Sequence, residues 1–286
     1  MKKTLLTFAS SDMNRSVLRL CRQADEMGVF DTVIGSDERD LSVDFQKRFQ
    51  AHLKRNTRGF GYWCWKPQIV IQSLLDMDEG DILLYLDAGC HLNIRGTWRM
   101  KNYIDMTKDA ASGVLGFQAR APELPFLHDG RSLLDLRDCR WIKGDLLDHF
   151  ALRSRKDILQ SQTIGAGIIF FRKCARSLAL LNDWKAVIET NFALLDDTPS
   201  VSENHPEFVA HRHDQAIFSI LGKLNEIDTV SAYEYWYPQP GSKKPDWEAL
   251  KEYPILAMRD KDLGPWIRQR QRIKRKLRKI FNIKEL

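Results

Sequence analysis

The stretch Asp81-Ile-Leu-Leu-Tyr-Leu-Asp87-Ala88-Gly89-Cys-His91 decides the fold. Its run of apolar and aromatic residues from 82 to 86 predicts a strand that is buried on both faces. Asp87 follows where this strand should end, and in open α/β sheets ligands bind beyond the carboxyl ends of the strands. Asp87 is therefore a candidate site residue, although a carboxylate that caps an ordinary turn would fit the same pattern. The small residues Ala88 and Gly89 would let a ligand approach the backbone closely.

The composition indicates a globular protein of a reducing compartment. The chain of 286 residues can hold one large α/β domain or two small ones, and 43% hydrophobic residues suffice for a packed core. Its five cysteines are an odd number without a Cys-x-x-Cys pair, which argues against a disulfide framework and a zinc site. The apolar run after Lys2-Lys3 is too short for a signal peptide. No run approaches the about 18 apolar residues of a membrane-spanning helix, so we expect a cytoplasmic protein.

The positive charge is concentrated in the carboxyl-terminal tail. Residues 264–286 have a net charge of +8 within a chain of +6, which leaves residues 1–263 at −2. We therefore expect two units, a domain at 1–263 and a basic amphipathic helix at 264–286 that lies on the anionic inner face of the membrane. A helix docked on the domain, or a nucleic-acid patch, would be the alternatives, and the slightly acidic body argues against nucleic acid. The apolar stripe of this helix would contain Trp266, Ile273, Leu277, Ile280 and Phe281.

The segments around the central strand predict an α/β sheet. Residues 5–9 should form the first strand with Ser10 in the loop at its end, and residues 15–27 a helix that Gly28 ends. A second strand at 31–34 completes a β-α-β start, which favours a parallel, right-handed arrangement. Further strands are predicted at 114–119, 168–171, 228–232 and 255–258, and further helices at 67–75, 175–194 and 216–223.

The segment Arg58-Gly-Phe-Gly-Tyr-Trp-Cys-Trp-Lys66-Pro67 places several aromatic residues around one lysine. Pro67 fits the first position of a helix, so Lys66 would lie near a helix amino terminus, which is suited to anions. The alternative is an aromatic cluster packed under the sheet, with the lysine reaching out to water.

Two later segments carry further candidates. Gly165, Ala166 and Gly167 lead into the strand at 168–171 and leave room for a ligand beside it. The segment His211-Arg-His213-Asp214-Gln215 joins two imidazoles, a carboxylate and an amide where a helix begins, and an amino-terminal cap is the alternative role for its carboxylate.

These landmarks together resemble a GT-A glycosyltransferase, closest to families 8 and 32. The resemblance rests on Tyr85-Leu-Asp-Ala-Gly89, Gly165-Ala-Gly-Ile-Ile-Phe-Phe171 and His213-Asp-Gln-Ala-Ile-Phe218, in that order within residues 1–260. It implies a single Rossmann-like domain with a mostly parallel sheet flanked by helices. It also implies transfer of a sugar from a nucleotide sugar, with a UDP-sugar favoured, to a saccharide or lipid-linked acceptor. A narrower similarity to bacterial capsule and lipopolysaccharide transferases implies a role in surface polysaccharide synthesis.

The resemblance also implies roles for individual residues. Asp214 and Gln215 would face the anomeric carbon, with Asp214 as the general base if the reaction inverts, and on the back face of the sugar if it retains. Lys66 with Arg259 or Lys261 would meet the diphosphate. The candidate donor-binding residues are Ser10, Lys66, Asp87, Ala88, Gly89, Gly165, Ala166, Gly167, Arg259 and Lys261.

Two departures from the family pattern put a metal in doubt. The late metal-binding histidine of the family is not found, since the comparable strand end reads Met258-Arg259-Asp260-Lys261. The pattern Asp-x-Asp, which coordinates Mn²⁺ or Mg²⁺, is Asp87-Ala88-Gly89 here, and a hard cation needs several oxygen ligands. Asp87 with His91, His211, His213 or Asp214 could complete a site, or cationic side chains could replace the metal. Two other functions stay open, a sugar nucleotidyltransferase, although no Gly-rich loop follows the first strand, and a catalytically inactive transferase-like binding protein.

Overall fold

The computed structural model describes residues 1–121, 134–242 and 244–260. Lys261 and the expected amphipathic helix at 264–286 lie outside these residues. None of the helices in the described part of the chain is both long and apolar enough to cross a bilayer.

A six-stranded sheet forms the centre of the molecule, in the order β2-β1-β3-β6-β5-β7. Strand β6 runs antiparallel to both of its neighbours, whereas the remaining pairs are parallel. A short antiparallel ribbon, β4-β8, lies beside the sheet. The strands are β1 (Lys3–Phe8), β2 (Thr32–Ser36), β3 (Ile82–Leu86), β4 (His91–Leu92), β5 (Val114–Gln118), β6 (Ile164–Arg172), β7 (Asp228–Ser231) and β8 (Ile255–Leu256).

Helices cover both faces of this sheet. Alternate residues of β3 point to opposite faces, with Leu83 and Tyr85 in one apolar cluster and Leu84 and Leu86 in the other. The first cluster includes residues of α4, α8 and α9, and the second includes residues of α1 and α5. The helices are α1 (Asn14–Met27), α2 (Val43–Phe49), α3 (Gly59–Tyr62), α4 (Trp65–Leu75), α5 (Thr97–Asp109), α6 (Gly144–His149), α7 (Lys156–Leu159), α8 (Ala175–Thr190) and α9 (His213–Leu224).

The structure confirms the predicted α/β class with a mostly parallel sheet flanked by helices. Every residue of β3 is buried, as the continuous apolar run requires. Gly28 ends α1 with a left-handed φ of 65°, which glycine adopts without the steric cost of a Cβ atom.

Some element boundaries were predicted wrongly. Gly165 and Gly167 do not lead into β6 but lie inside it, because the strand already pairs with β5 at Ile164. Helix α4 begins at Trp65, so Pro67 is its third residue and not its first. Helix α9 begins at His213, three residues earlier than expected.

Candidate active site

Asp87 lies directly after the carboxyl end of β3 and forms a hydrogen bond to the neighbouring strand β6. Its backbone N–H donates to the carbonyl of Gly167 at 2.8 Å, and the hydroxyl of Tyr85 donates to Asp87 Oδ1 at 2.7 Å. A Cβ atom on Gly167 would lie 2.7 Å from Asp87 Oδ2, so only glycine leaves space for this carboxylate. The side chain of Asp87 remains 38% exposed and can therefore reach a ligand.

Lys66 joins Asp87 to Asp214 in what we call the carboxylate cluster (Lys66, Asp87 and Asp214). Lys66 Nζ donates to Asp214 Oδ2 at 2.6 Å and to the carbonyl of Ala166 at 2.9 Å, and it lies 3.4 Å from Asp87 Oδ1. The lysine is only 1% exposed, so it does not reach out to water. Its three N–H groups have protein oxygens as neighbours, and a diphosphate would have to displace one of them.

The charges of this cluster shift one another. Burial raises the pKa of Asp214 to about 6, against the opposing effect of Lys66 and with a smaller contribution from Asp87. Burial alone would lower the pKa of Lys66, but the two carboxylates outweigh it and raise that pKa above its usual value. Asp214 lies in the first turn of α9, whose amino-terminal cap is Arg212, so the alternative role of a cap is not what the structure has.

Gln215 and the glycines of β6 continue the site beyond the carboxylate cluster. Gln215 Nε2 donates to Thr163 Oγ1 at 3.2 Å, which leaves the Gln215 side chain next to the start of β6. A Cβ atom on Gly165 would lie 2.9 Å from the hydroxyl of Tyr235, so the small residue here makes room for that phenol. Tyr235 was not a candidate from the sequence.

Arg19 fixes the loop that follows Asp87. Its guanidinium donates to the carbonyls of Ala88 at 2.8 Å and Cys90 at 3.0 Å, and it pairs with Asp260 at 3.1 Å. The N–H of Asp260 donates to the carbonyl of Gly89 at 2.9 Å, and a Cβ atom on that glycine would lie 3.2 Å from the Arg259 Cα. Arg259 is thereby held beside the end of β3, as its candidate role requires.

Ser10 follows β1, and because β1 is parallel to its neighbour β3, Ser10 lies at the same edge of the sheet as Asp87. Ala9, the residue before it, packs in one small cluster with Ala88. The hydroxyl of Ser10 donates to Asp12 Oδ1 at 2.5 Å.

A second guanidinium, that of Arg212, lies within electrostatic range of Arg259 and was not a candidate from the sequence. Arg212 has its Cζ 4.0 Å from the ring centre of Trp141. Burial lowers the pKa of Arg212, and the positive charges of Arg259 and Arg58 lower it further. We call Arg212 and Arg259 the arginine pair. In residues 1–121, 134–242 and 244–260, no carboxylate forms an ion pair with either of them. The sequence feature that points to Arg212 is its position between His211 and His213, within the candidate segment 211–215.

The histidines do not join Asp87. His211 Nε2 lies 3.0 Å from the carbonyl of Leu194, and His213 Nδ1 lies 2.9 Å from that of Leu195, so both rings are fixed to the loop after α8. Burial lowers the pKa of His211 to about 3, which keeps this imidazole neutral.

The described residues do not fit a metal at Asp87. His91 Nε2 faces Asp260 at 3.2 Å, and the ammonium of Lys66 already lies where a cation would approach Asp87 Oδ1. Across the described ranges, one group of three side chains could hold an ion, and it excludes Asp87. That group is Cys139, His205 and Glu207, and Glu207 also pairs with Arg137 at 2.6 Å.

The short element α3 and the residue after it do not have right-handed helical backbone angles. We call this segment the left-handed turn (Gly59–Trp63). All five residues have positive φ, and those of the aromatic residues are 53° at Phe60, 54° at Tyr62 and 62° at Trp63. Such angles cost an L-residue with a bulky side chain about 1–2 kcal/mol each. Strain of this kind persists only where surrounding contacts impose it, and it is frequent at ligand sites.

Comparisons with known proteins give fold neighbours only. No protein-family model and no curated protein matches the sequence. A glycosyltransferase involved in glycosylation of the major capsid of PBCV-1 is 10% identical, with 90% of this chain and 93% of that chain covered and a TM-score of 0.44. Mouse xyloside xylosyltransferase 1 is also 10% identical, with 82% and 87% covered and a TM-score of 0.40.

The galactosyltransferase LgtC is 12% identical, with 94% of each chain covered and a TM-score of 0.33. Glycosyltransferases are thus among the solved structures that this chain is similar to. Because these TM-scores are below 0.5, the function has to be argued from the side chains of the site.

Proposed function

We propose that this protein is a glycosyltransferase that moves a sugar from a nucleotide-diphosphate sugar, preferably a UDP-sugar, to a hydroxyl of a saccharide acceptor. The observation that carries the proposal is the arginine pair, Arg212 and Arg259. Arg212 lies two residues before Asp214, and the backbone of Arg259 lies against Gly89 in the loop after Asp87. Two guanidinium groups that repel each other, without a carboxylate partner in the described part of the chain, form a site for an anion with several oxygens. A diphosphate is such an anion.

The two charge groups suit the two halves of the donor. Transfer passes through an oxocarbenium-like state while the diphosphate departs with its negative charge. Arg212 and Arg259 would stabilise that charge with hydrogen bonds that strengthen in the transition state. The partly exposed Asp87 would accept hydrogen bonds from sugar hydroxyls, since its second oxygen lies over Gly167.

The buried members of the carboxylate cluster would hold this arrangement. The side chain of Asp214 is only 8% exposed, and one of its oxygens accepts a hydrogen bond from Lys66. Its main role would therefore be to orient the lysine and the strand end. Gln215 would lie beside the anomeric carbon and present its amide oxygen, since its Nε2 donates to Thr163 Oγ1. In an inverting reaction, Asp214 would act as base only after an acceptor hydroxyl came within hydrogen-bond reach.

The finer assignments extend this proposal. The acceptor would be a lipid-linked saccharide of bacterial capsule or lipopolysaccharide synthesis. The basic tail at 264–286 would hold the enzyme at the inner face of the membrane, where such an acceptor lies. Liposome flotation of the full chain and of residues 1–263 tests the tail, and equal flotation of both would remove the membrane role.

Donor turnover tests the proposed function. We expect release of UDP from at least one common UDP-sugar in the presence of EDTA. The reason is that the arginine pair would neutralise the negative charge of the diphosphate, which a metal ion would otherwise do. Asp87→Asn should lose this release. A protein that binds nucleotide with an unchanged affinity but never consumes a sugar nucleotide would instead be a binding protein, and one that binds no nucleotide would contradict the proposal altogether.

A further inference from the structure

The left-handed turn forms a wall of the candidate site. The carbonyl of Trp63 accepts the N–H of Lys66 at 3.1 Å, so the turn is continuous with the carboxylate cluster. The ring of Trp63 lies 6.0 Å, and that of Tyr62 lies 5.0 Å, from the ring of His213, the residue before Asp214.

The backbone of the turn is built to place the Trp63 ring. A Cβ atom on Gly59 would lie within 2.6 Å of three atoms of that indole, so the ring lies flat against a residue that must be glycine. The indole N–H of Trp65 donates to the carbonyl of Gly59 at 3.1 Å, and the N–H of Cys64 donates to that of Gly61 at 3.0 Å. These bonds impose the positive φ values, and the rings of Tyr62 and Trp63 stay partly exposed.

Two hydrogen-bond acceptors face each other beside these rings. His213 Nδ1 donates to the carbonyl of Leu195, which can only accept, so the neutral ring presents a lone pair at Nε2. That buried nitrogen has no hydrogen-bond partner in the described part of the chain, and it lies 3.5 Å from a carboxylate oxygen of Asp197. Neither atom has a proton to donate to the other, so two hydroxyl groups of a ligand would be needed, one for each acceptor.

Asp197 also connects the other members of this wall. Burial raises the pKa of Tyr62, and the negative charge of Asp197 raises it further. The Asp197 carboxylate lies 3.9 Å from a guanidinium nitrogen of Arg58, and more than half of it is exposed. A pyranose ring has an apolar C–H face and an edge of hydroxyl groups, and the wall offers an aromatic face beside hydroxyl acceptors.

We propose that Trp63, Asp197 and His213 form a subsite for a pyranoside, which stacks on Trp63 and donates one hydroxyl proton to Asp197 and another to His213. The inference rests on the proposed function, since this sugar would be the acceptor whose hydroxyl attacks the donor next to Asp214. It adds a binding site that adjoins the carboxylate cluster through His213, the residue before Asp214 in α9.

Saturation-transfer NMR on the full chain tests the subsite, with methyl α- and β-pyranosides of glucose, galactose and mannose as probes and UDP present. We expect transfer to the ring C–H protons of at least one pyranoside. Trp63→Gly, which keeps a residue suited to positive φ, should reduce it by about fivefold or more, in keeping with the loss of an aromatic face. Trp98→Ala removes a tryptophan that is 45% exposed elsewhere and should change nothing.

Asp197→Asn provides a second variant in case Trp63→Gly does not fold. Its amide can donate to His213 Nε2 and should displace the ligand hydroxyl, which lowers the transfer as well. No signal from any pyranoside with the wild type, or signals that neither folded variant reduces, would overturn the subsite. UDP affinity measured on the same samples separates the outcomes, because intact UDP binding with no pyranoside signal refutes the subsite alone.

Discussion

The carboxylate cluster and the arginine pair are charged groups of opposite design. Lys66 is enclosed by protein oxygens at 2.6 and 2.9 Å, with a second carboxylate at 3.4 Å. Arg212 lies over the ring of Trp141, and its pKa is lowered first by burial and then by the positive charge of Arg259. The lysine of the first group has protein acceptors for its charge without a ligand, whereas the arginines of the second have no carboxylate partner within the described residues. The comparison teaches that a charge paired inside the protein holds the site together, and an unpaired one is available to a substrate.

The largest effect is expected from Lys66→Met. The substitution leaves Asp214 buried without its cation, and breaking a buried ion pair of this kind costs about 3–5 kcal/mol. Urea unfolding should show this loss at neutral pH. Lys101→Met removes an exposed lysine from α5 and is the matched control. An equal stability of both variants would mean that the cluster does not hold the fold.

Asp87→Asn should separate catalysis from stability. The amide oxygen of the introduced asparagine can still accept from Tyr85, and Lys66 keeps its closer partner Asp214 at 2.6 Å. The unfolding free energy should therefore change much less than in Lys66→Met. Sugar-nucleotide turnover should fall by about 100-fold or more, since the carboxylate charge beside the reacting sugar is lost. Turnover is followed by UDP release, with Asp183→Asn on the surface of α8 as the control. Full activity of Asp87→Asn would remove Asp87 from the mechanism.

The raised pKa of Asp214 makes a smaller, pH-dependent contribution. Its pKa is about 6 in the folded protein against an ordinary 3.8, so the folded state holds a proton that the unfolded state has lost between these values. The unfolding free energy of the wild type relative to Asp214→Asn should therefore decline as the pH rises from about 4 to about 6. Urea titrations at several pH values measure it. A relative stability that rises over this range would mean that Lys66 lowers this pKa more than burial raises it.

The smallest effect concerns the ligand-free stability of Arg212→Gln. The variant loses the contact with Trp141, worth about 0.5–1 kcal/mol, and gains relief from the repulsion of Arg259. These terms oppose each other, so the midpoint of urea unfolding should stay close to that of the wild type. A loss as large as that of Lys66→Met would mean that Arg212 serves the fold and not a ligand.

The comparison also explains how much could be read from the sequence. The buried strand β3 and Asp87 at its end were predicted from a local pattern, because an apolar run and a following carboxylate are adjacent in the chain. The ion pair of Lys66 and Asp214 spans 148 positions, and the contact of Arg19 with Asp260 spans 241. Such partners are chosen by the packing of the sheet, and no local pattern specifies them.

Two further features escaped for different reasons. The antiparallel direction of β6 depends on the path of the chain between β5 and β6, since the strand's own apolar residues fit either direction. The left-handed turn contradicts the local preference of Phe60, Tyr62 and Trp63, which disfavour positive φ. The sequence contained its glycines, but the strain they allow arises from contacts with residues further along.

A calorimetric titration with UDP in EDTA tests the central claim most directly, on the wild type, on Arg212→Gln and on Arg22→Gln, which removes an exposed arginine of α1. The account predicts that the wild type and Arg22→Gln bind UDP equally. Arg212→Gln should bind about tenfold or more weakly, as expected for a lost hydrogen bond between charged groups. Equal affinity of all three proteins, or no binding by the wild type, would contradict the assignment of the arginine pair to a diphosphate.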